Sequence, residues 1–131
     1  MDVFCKIVDL FQPGDAINKL NTEIVDYATL KNLRGKVIPQ VGGYYDIWKL
    51  LRFLALEDVG TAIPEVGPID TQTRKKMRSA LTQIHLAGYV HGDIARRNFC
   101  KANAVFLVDF ETLAVGSRAQ MEAELADLDA L

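Results

Sequence analysis

The chain has 131 residues, half of them hydrophobic, with 15 basic side chains against 17 acidic ones and a formal net charge of −2. That length allows one domain with a real core and excludes two, and the charge balance excludes the basic field that drives nucleic-acid binding. No stretch approaches the roughly 20 apolar residues of a membrane span.

At the start, Val3 to Val8 is rich in β-branched and aromatic residues and runs into the turn signal Gln12-Pro13-Gly14, so a strand is expected. Asp2, Lys6 and Asp9 interrupt the apolar run, which rules out the core of a secretion signal. Cys5 and Cys100, far apart in such a chain, are therefore expected as reduced thiols of a soluble cytoplasmic protein, serving as small buried apolar side chains. Lys6 shares its strand face with Phe4 and Val8, an unusual setting for a lysine, and calls for a partner to its ammonium.

Ile17, Leu20, Ile24, Tyr27 and Ala28 recur at helical spacing after Asp15, a candidate N-cap, and predict a helix over 16–33. Glu23 falls at the edge of that stripe, within reach of Lys6 or of water. After Pro39, the runs Val41–Trp48 and Leu50–Leu56 fit adjacent strands, although the second also fits a helix. Glu57-Asp58-Val59-Gly60 ends the second run, and Pro64, Gly67 and Pro68 predict a loop with little room for structure, of the kind that connects two lobes. Helical spacing returns from Thr71 to Ala87, with Met77, Leu81 and Ile84 as the buried stripe and Arg74, Lys75, Lys76 and Arg78 as a solvated face. His85 is assigned no role. Ala104–Val108 is a continuous apolar strand, and Ser117-Arg118-Ala119-Gln120 is a capping-box pattern opening a last amphipathic helix through Met121, Leu125 and Leu128.

Between these elements stands His91-Gly92-Asp93-Ile94-Ala95-Arg96-Arg97-Asn98, followed by Val108-Asp109-Phe110. Together they read as two pieces of one phosphoryl-transfer site. Asp93 is placed to accept the proton of an attacking hydroxyl, while Asn98 and Asp109 offer hard oxygen ligands to a magnesium ion that holds phosphates.

The order of parts resembles the protein-kinase-like superfamily over essentially the whole chain. The resemblance implies an incomplete α+β kinase-like fold: a partial N-lobe sheet with its helix over 1–56, a hinge and linker over 57–70, and a minimal helical C-lobe over 71–131. It further implies ATP and Mg2+ as cofactors. Lys6 is similar to the lysine that contacts the nucleotide phosphates and Glu23 to its helix partner. The carbonyl of Glu57 and the amide of Val59 match the hinge groups that bond the adenine edge, with Leu56 guarding the pocket behind. His91 and Phe110 match rings that pack beneath the site, and Tyr27 extends that stack.

The loop combines two patterns. Arg97 immediately before Asn98 resembles the tyrosine-kinase form, in which that arginine stabilises charge near the transferred phosphate. Gly92, and Glu111 after Asp109-Phe110, resemble instead the aminoglycoside and choline kinases. Gly92 also stands where many protein kinases carry an arginine that binds an activation-loop phosphate, so regulation of that kind is not expected. Only five residues precede Lys6, without the glycine-rich strand pair that covers the phosphates, and there is no Ala-Pro-Glu motif after Asp109. A phosphotransferase acting on a hydroxyl of a protein or small molecule is the first expectation. The alternative is a catalytically impaired pseudokinase-like binding module, a homo- or hetero-oligomer formed through the unpaired sheet edge. Neither a nucleic acid nor a membrane is expected as a partner.

Overall fold

The computed structural model describes residues 2–12 and 14–131, so Pro13 of the expected turn lies outside the described residues. The first apolar run forms strand β1 (Val3–Asp9), and the two runs after Pro39 form β2 (Val41–Ile47) and β3 (Leu51–Glu57). The second of these is a strand because Trp48 and Lys49 reverse the chain tightly. Both have positive φ, 51° and 58°, and Leu50 N donates to Ile47 O at 2.9 Å, closing a two-residue hairpin. The sheet is antiparallel in the order β1-β3-β2, which leaves β1 as an edge. Asp58 N donates to Asp2 O and Leu10 N to Leu50 O, so even-numbered residues of β1 turn their backbone groups to β3. Those of Val3, Cys5 and Ile7 consequently point out of the sheet.

Helix α1 (Ala16–Thr29) packs against β1 and is shorter than expected. Leu30 leaves helical geometry at φ −95° and ψ 24°, and the chain tightens into a 3-10 turn over Lys31–Leu33, a common way for a helix to use carbonyls that lack a cap. Asp15 is itself in the helical region and its side chain caps nothing. The inward face runs through Leu20, Glu23 and Tyr27, while Ala28 is exposed. Glu23 is thus in the middle of the buried face and not at its edge.

The expected loop after Glu57 contains a short strand, β4 (Thr61–Ala62). Helix α2 (Thr71–Leu86) begins at Asp70, whose carboxylate accepts the amide of Thr73, and buries Met77, Leu81 and Ile84 as predicted. There follow β5 (Tyr89–Val90), a 3-10 turn over Arg96–Asn98, β6 (Phe99–Lys101), β7 (Val105–Leu107) and β8 (Ala114–Val115). A second antiparallel sheet has the order β4-β6-β7, and β5 pairs with β8. Helix α3 (Arg118–Asp129) opens on the expected capping box of Ser117 and Gln120.

The basic face of α2 is not wholly solvated. Arg74 donates to the carbonyls of Leu128 and Leu131, and Arg78 to the carboxylate of Asp129, so cations meet the negative end of α3. One core runs from Leu20 and Tyr27 through Leu54 to Met77, Leu107 and Leu128. No described helix is long and apolar enough to cross a membrane. Both cysteines are free thiols, but neither is buried: Cys5 lies exposed on an edge strand, and half-buried Cys100 lines a cavity.

Candidate active site

A cavity of about 310 Å³ opens between the two sheets, with Phe4, Lys6 and Leu56 on one side and Ala62, Cys100 and Val108 on the other. Alternation along β1 puts Phe4, Lys6 and Val8 on the face that meets α1. Lys6 Nζ donates to both carboxylate oxygens of Glu23, at 3.0 and 2.8 Å, and to Asp109 Oδ1 at 2.5 Å. The lysine therefore bridges a helix and the end of β7. Burial alone would lower its pKa, but the charges of Glu23 and Asp109 outweigh that and hold the ammonium above the ordinary lysine range. Glu23 is only 1% exposed, and burial raises its carboxyl above the ordinary value despite the lysine beside it. Asp109 itself sits at φ +61°, a conformation that non-glycine residues seldom adopt and that turns the chain as it leaves the strand.

The loop from His91 to Asn98 is held from several directions. His91 packs edge-on to Phe110 at 5.1 Å between ring centres, and Phe110 packs in the same way on Tyr27 at 5.3 Å. The expected ring stack is therefore formed. His91 Nε2 lies 2.8 Å from the carbonyl of Val108 and must carry the proton there, which leaves Nδ1 to accept the amide of Asp93. Asp93 Oδ2 accepts from Arg97 at 2.7 Å and from Asn98 Nδ2 at 3.0 Å. Arg97 is exposed at the cavity wall and is engaged by Asp93. Asn98 is fully buried, and its Oδ1 has no hydrogen-bond partner among the described residues.

At the other end of the cavity, the amide of Glu57 donates to Gln40 O, that of Asp58 to Asp2 O, and that of Gly60 to Asp58 Oδ1. The amide of Val59 bonds to nothing among the described residues, although Val59 is buried. The residues singled out from sequence thus fall into one place. Lys6, Glu23 and Asp109 meet directly, Asp93, Arg97 and Asn98 meet beside them, and Leu56, Glu57 and Val59 line the same cavity.

Three residues that the sequence did not single out support this site. Glu124, buried on α3, accepts the amides of His91 at 3.0 Å and Gly92 at 2.7 Å, together with His85 Nε2 at 2.9 Å. His85, left without a role, is therefore a buried donor to that carboxylate. Glu124 stands one turn after Met121 and one turn before Leu128, and a carboxylate in an apolar stripe was the available signal. Thr112 Oγ1 donates to His91 O, and a Cβ on Gly92 would come within 2.6 Å of the Thr112 carbonyl. With Gly92 at φ +91°, both the conformation and the close approach require glycine.

No protein-family model matches the sequence, and no similar curated protein was found. Among solved structures, the fold is similar to that of vaccinia related kinase 3, with a TM-score of 0.58 and 18% identity over 86% of this chain. The match covers 41% of the length of that protein, and at this identity the likeness concerns the fold alone. The chain has an α+β fold of the protein-kinase-like kind, in incomplete form.

Proposed function

We propose that this chain is an ATP- and Mg2+-dependent phosphotransferase that passes a phosphoryl group to a hydroxyl of a protein or small molecule. The observation that carries this reading is the Lys6 ammonium held between Glu23 and Asp109 at the inner end of the cavity, next to the Asp93–Asn98 pair. On this reading residues 1–56 form a partial N-lobe, 57–70 the hinge and linker, and 71–131 a minimal C-lobe of a soluble cytoplasmic protein. The catalytic loop combines a tyrosine-kinase-like Arg97-Asn98 with the Gly92 and Glu111 of the aminoglycoside- and choline-kinase types.

The donor set suits a hard cation such as magnesium: Asn98 Oδ1 is a buried oxygen without a hydrogen-bond partner among the described residues, and Asp109 supplies a carboxylate. Magnesium, when bound with nucleotide, neutralises charge on the phosphate oxygens. Lys6, fixed by Glu23, orients those phosphates. Asp93 accepts the proton of the attacking hydroxyl as its oxygen bonds to the γ-phosphorus; the bond from that phosphorus to the bridging oxygen breaks and ADP leaves with it. Arg97 stabilises the charge that develops. Glu57, Val59 and Leu56 hold the base end of the nucleotide.

Purified protein should transfer labelled γ-phosphate from ATP, and Asp93→Asn should abolish the transfer. Activity that survives this substitution would remove Asp93 from its role. A second reading, a binding module that keeps the fold as a surface, is favoured by the open β1 edge, where Val3 and Ile7 are exposed, and by the exposed Tyr45 and Ile47 of β2 on the far side of β3. Such an edge accepts a strand from a second copy or another protein. Light scattering that shows only monomer across micromolar concentrations would count against self-association.

A further inference from the structure

The two outer strands of the first sheet are not equally open. β2 shifts register against β3 between Val41 and Gly43, and a bulge of this kind turns an edge away from further pairing. β1 pairs with β3 residue for residue from Val3 to Asp9 and contains neither a bulge nor a proline. Its central charge, Lys6, is drawn to the α1 side by Glu23 and Asp109. The outward backbone groups of Val3, Cys5 and Ile7 therefore lie on a straight strand that lacks the usual devices against edge pairing. On the face away from α1, Ile7 stands beside Phe53 in the ladder, and Phe53 beside Tyr45 at 6.2 Å between ring centres. This apolar row runs to the edge and stops there, with Ile7 56% and Val3 52% exposed.

We infer that the strand accepted at this edge is β1 of a second copy, antiparallel, with the two-fold axis at Cys5. The inference rests on the second reading above and names its partner. In an antiparallel pair the outward residues exchange both backbone bonds, so odd residues of one copy must face odd residues of the other. About Cys5, Val3 faces Ile7 of the second copy and Ile7 faces its Val3, which continues the row of Tyr45, Phe53 and Ile7 onto an apolar neighbour. Lys6 comes opposite Phe4 of the second copy, an ammonium beside a ring. An axis at Lys6 would set two lysines directly opposite, which is unfavourable. Axes at Phe4 or Ile7 leave Ile7 or Val3, respectively, without a residue of β1 opposite. A single strand pair buries less than the roughly 1,200 Å² of a stable interface, so the dimer belongs to the weak, reversible class.

Sedimentation velocity of the reduced chain across micromolar to submillimolar concentrations should show a reversible dimer, which Ile7→Lys weakens by about tenfold or more. Ile7 and Cys5 are exposed, and a melt of each variant verifies folding. The Cα atoms of the two Cys5 residues would lie about 5.5 Å apart, within the span of a disulfide, so diamide should link the dimer through Cys5 and not Cys100. In Cys5→Ser/Ile7→Cys the introduced thiols would be offset by roughly 13 Å along the strands and should not join. A chain that is monomeric throughout would overturn the self-pairing and leave the edge to another protein, with the second reading standing. A dimer that Ile7→Lys leaves intact would overturn the inference by putting the contact elsewhere, and would remove the open edge from the second reading as well. A dimer that Ile7→Lys dissolves, but that fails to link through Cys5 or links as readily in Cys5→Ser/Ile7→Cys, would overturn the register.

Discussion

Replacing Glu124 by alanine should detach the His91–Asn98 loop from α3. The carboxylate accepts three hydrogen bonds, from the amides of His91 and Gly92 and from His85 Nε2, at 2.7 to 3.0 Å in a buried setting. Each bond to a charged acceptor contributes about 1.5–3 kcal/mol, but the three share one group and do not add. Each buried donor left without its acceptor costs about 1–3 kcal/mol, so the loss is a large share of the roughly 5–15 kcal/mol that holds a small domain folded. Glu124→Gln keeps one acceptor oxygen and turns an amide toward the remaining donors, so its loss should be intermediate. Urea melts give the global change, and hydrogen exchange gives the local one: the His91 and Gly92 amides should lose more protection than the core of α2. If Glu124→Ala melts within about 0.5 kcal/mol of the unmodified chain with those two amides still protected, the carboxylate does not hold the loop.

Lys6→Met should strand a buried carboxylate at Glu23 and cost about 3–5 kcal/mol near neutral pH, whereas the double variant Lys6→Met/Glu23→Leu should recover most of that loss. A double-mutant cycle that shows coupling below about 0.5 kcal/mol would refute the pairing. Asp26 provides a pH test: burial, with the Glu23 charge adding, pushes its carboxyl from 3.8 up to about 6, and its Oδ2 has no hydrogen-bond partner among the described residues. The folded state then binds more protons than the unfolded chain between about pH 4 and 6, so stability falls as pH rises through that window. Asp26→Asn should flatten the fall and stabilise the chain by roughly 1 kcal/mol or less at pH 7, after allowance for the solvent around this half-exposed group. Identical pH profiles for the two proteins would exclude Asp26 as the source.

Much of the site was legible because its chemistry is concentrated in short, punctuated segments. His91 to Asn98 and Val108 to Phe110 each place their polar residues next to an element boundary, and the Lys6 anomaly pointed to a partner before any partner was known. The strand and helix order followed from residue types as well. The helix end at Thr29 did not, because the tightening at Leu30 depends on carbonyls that find no side-chain cap. Glu124 was missed for a different reason: an acidic residue in an acidic helix looks solvated until its amide partners, more than thirty residues earlier in the chain, fold beneath it. Cys100 was misjudged because burial was assigned from residue type, whereas its position beside a cavity decides its exposure.

The fit between Gly92 and Thr112 also restricts how this sequence can drift. The atom nearest a Cβ at position 92 is the backbone carbonyl of Thr112, which every residue type possesses, so trimming the threonine side chain cannot make the room. A lineage that acquires a side chain at position 92 must first reshape the segment after Phe110, through an insertion, a deletion or a new turn. Position 92 and the length of that segment are therefore expected to change together among descendants of this chain, or not at all.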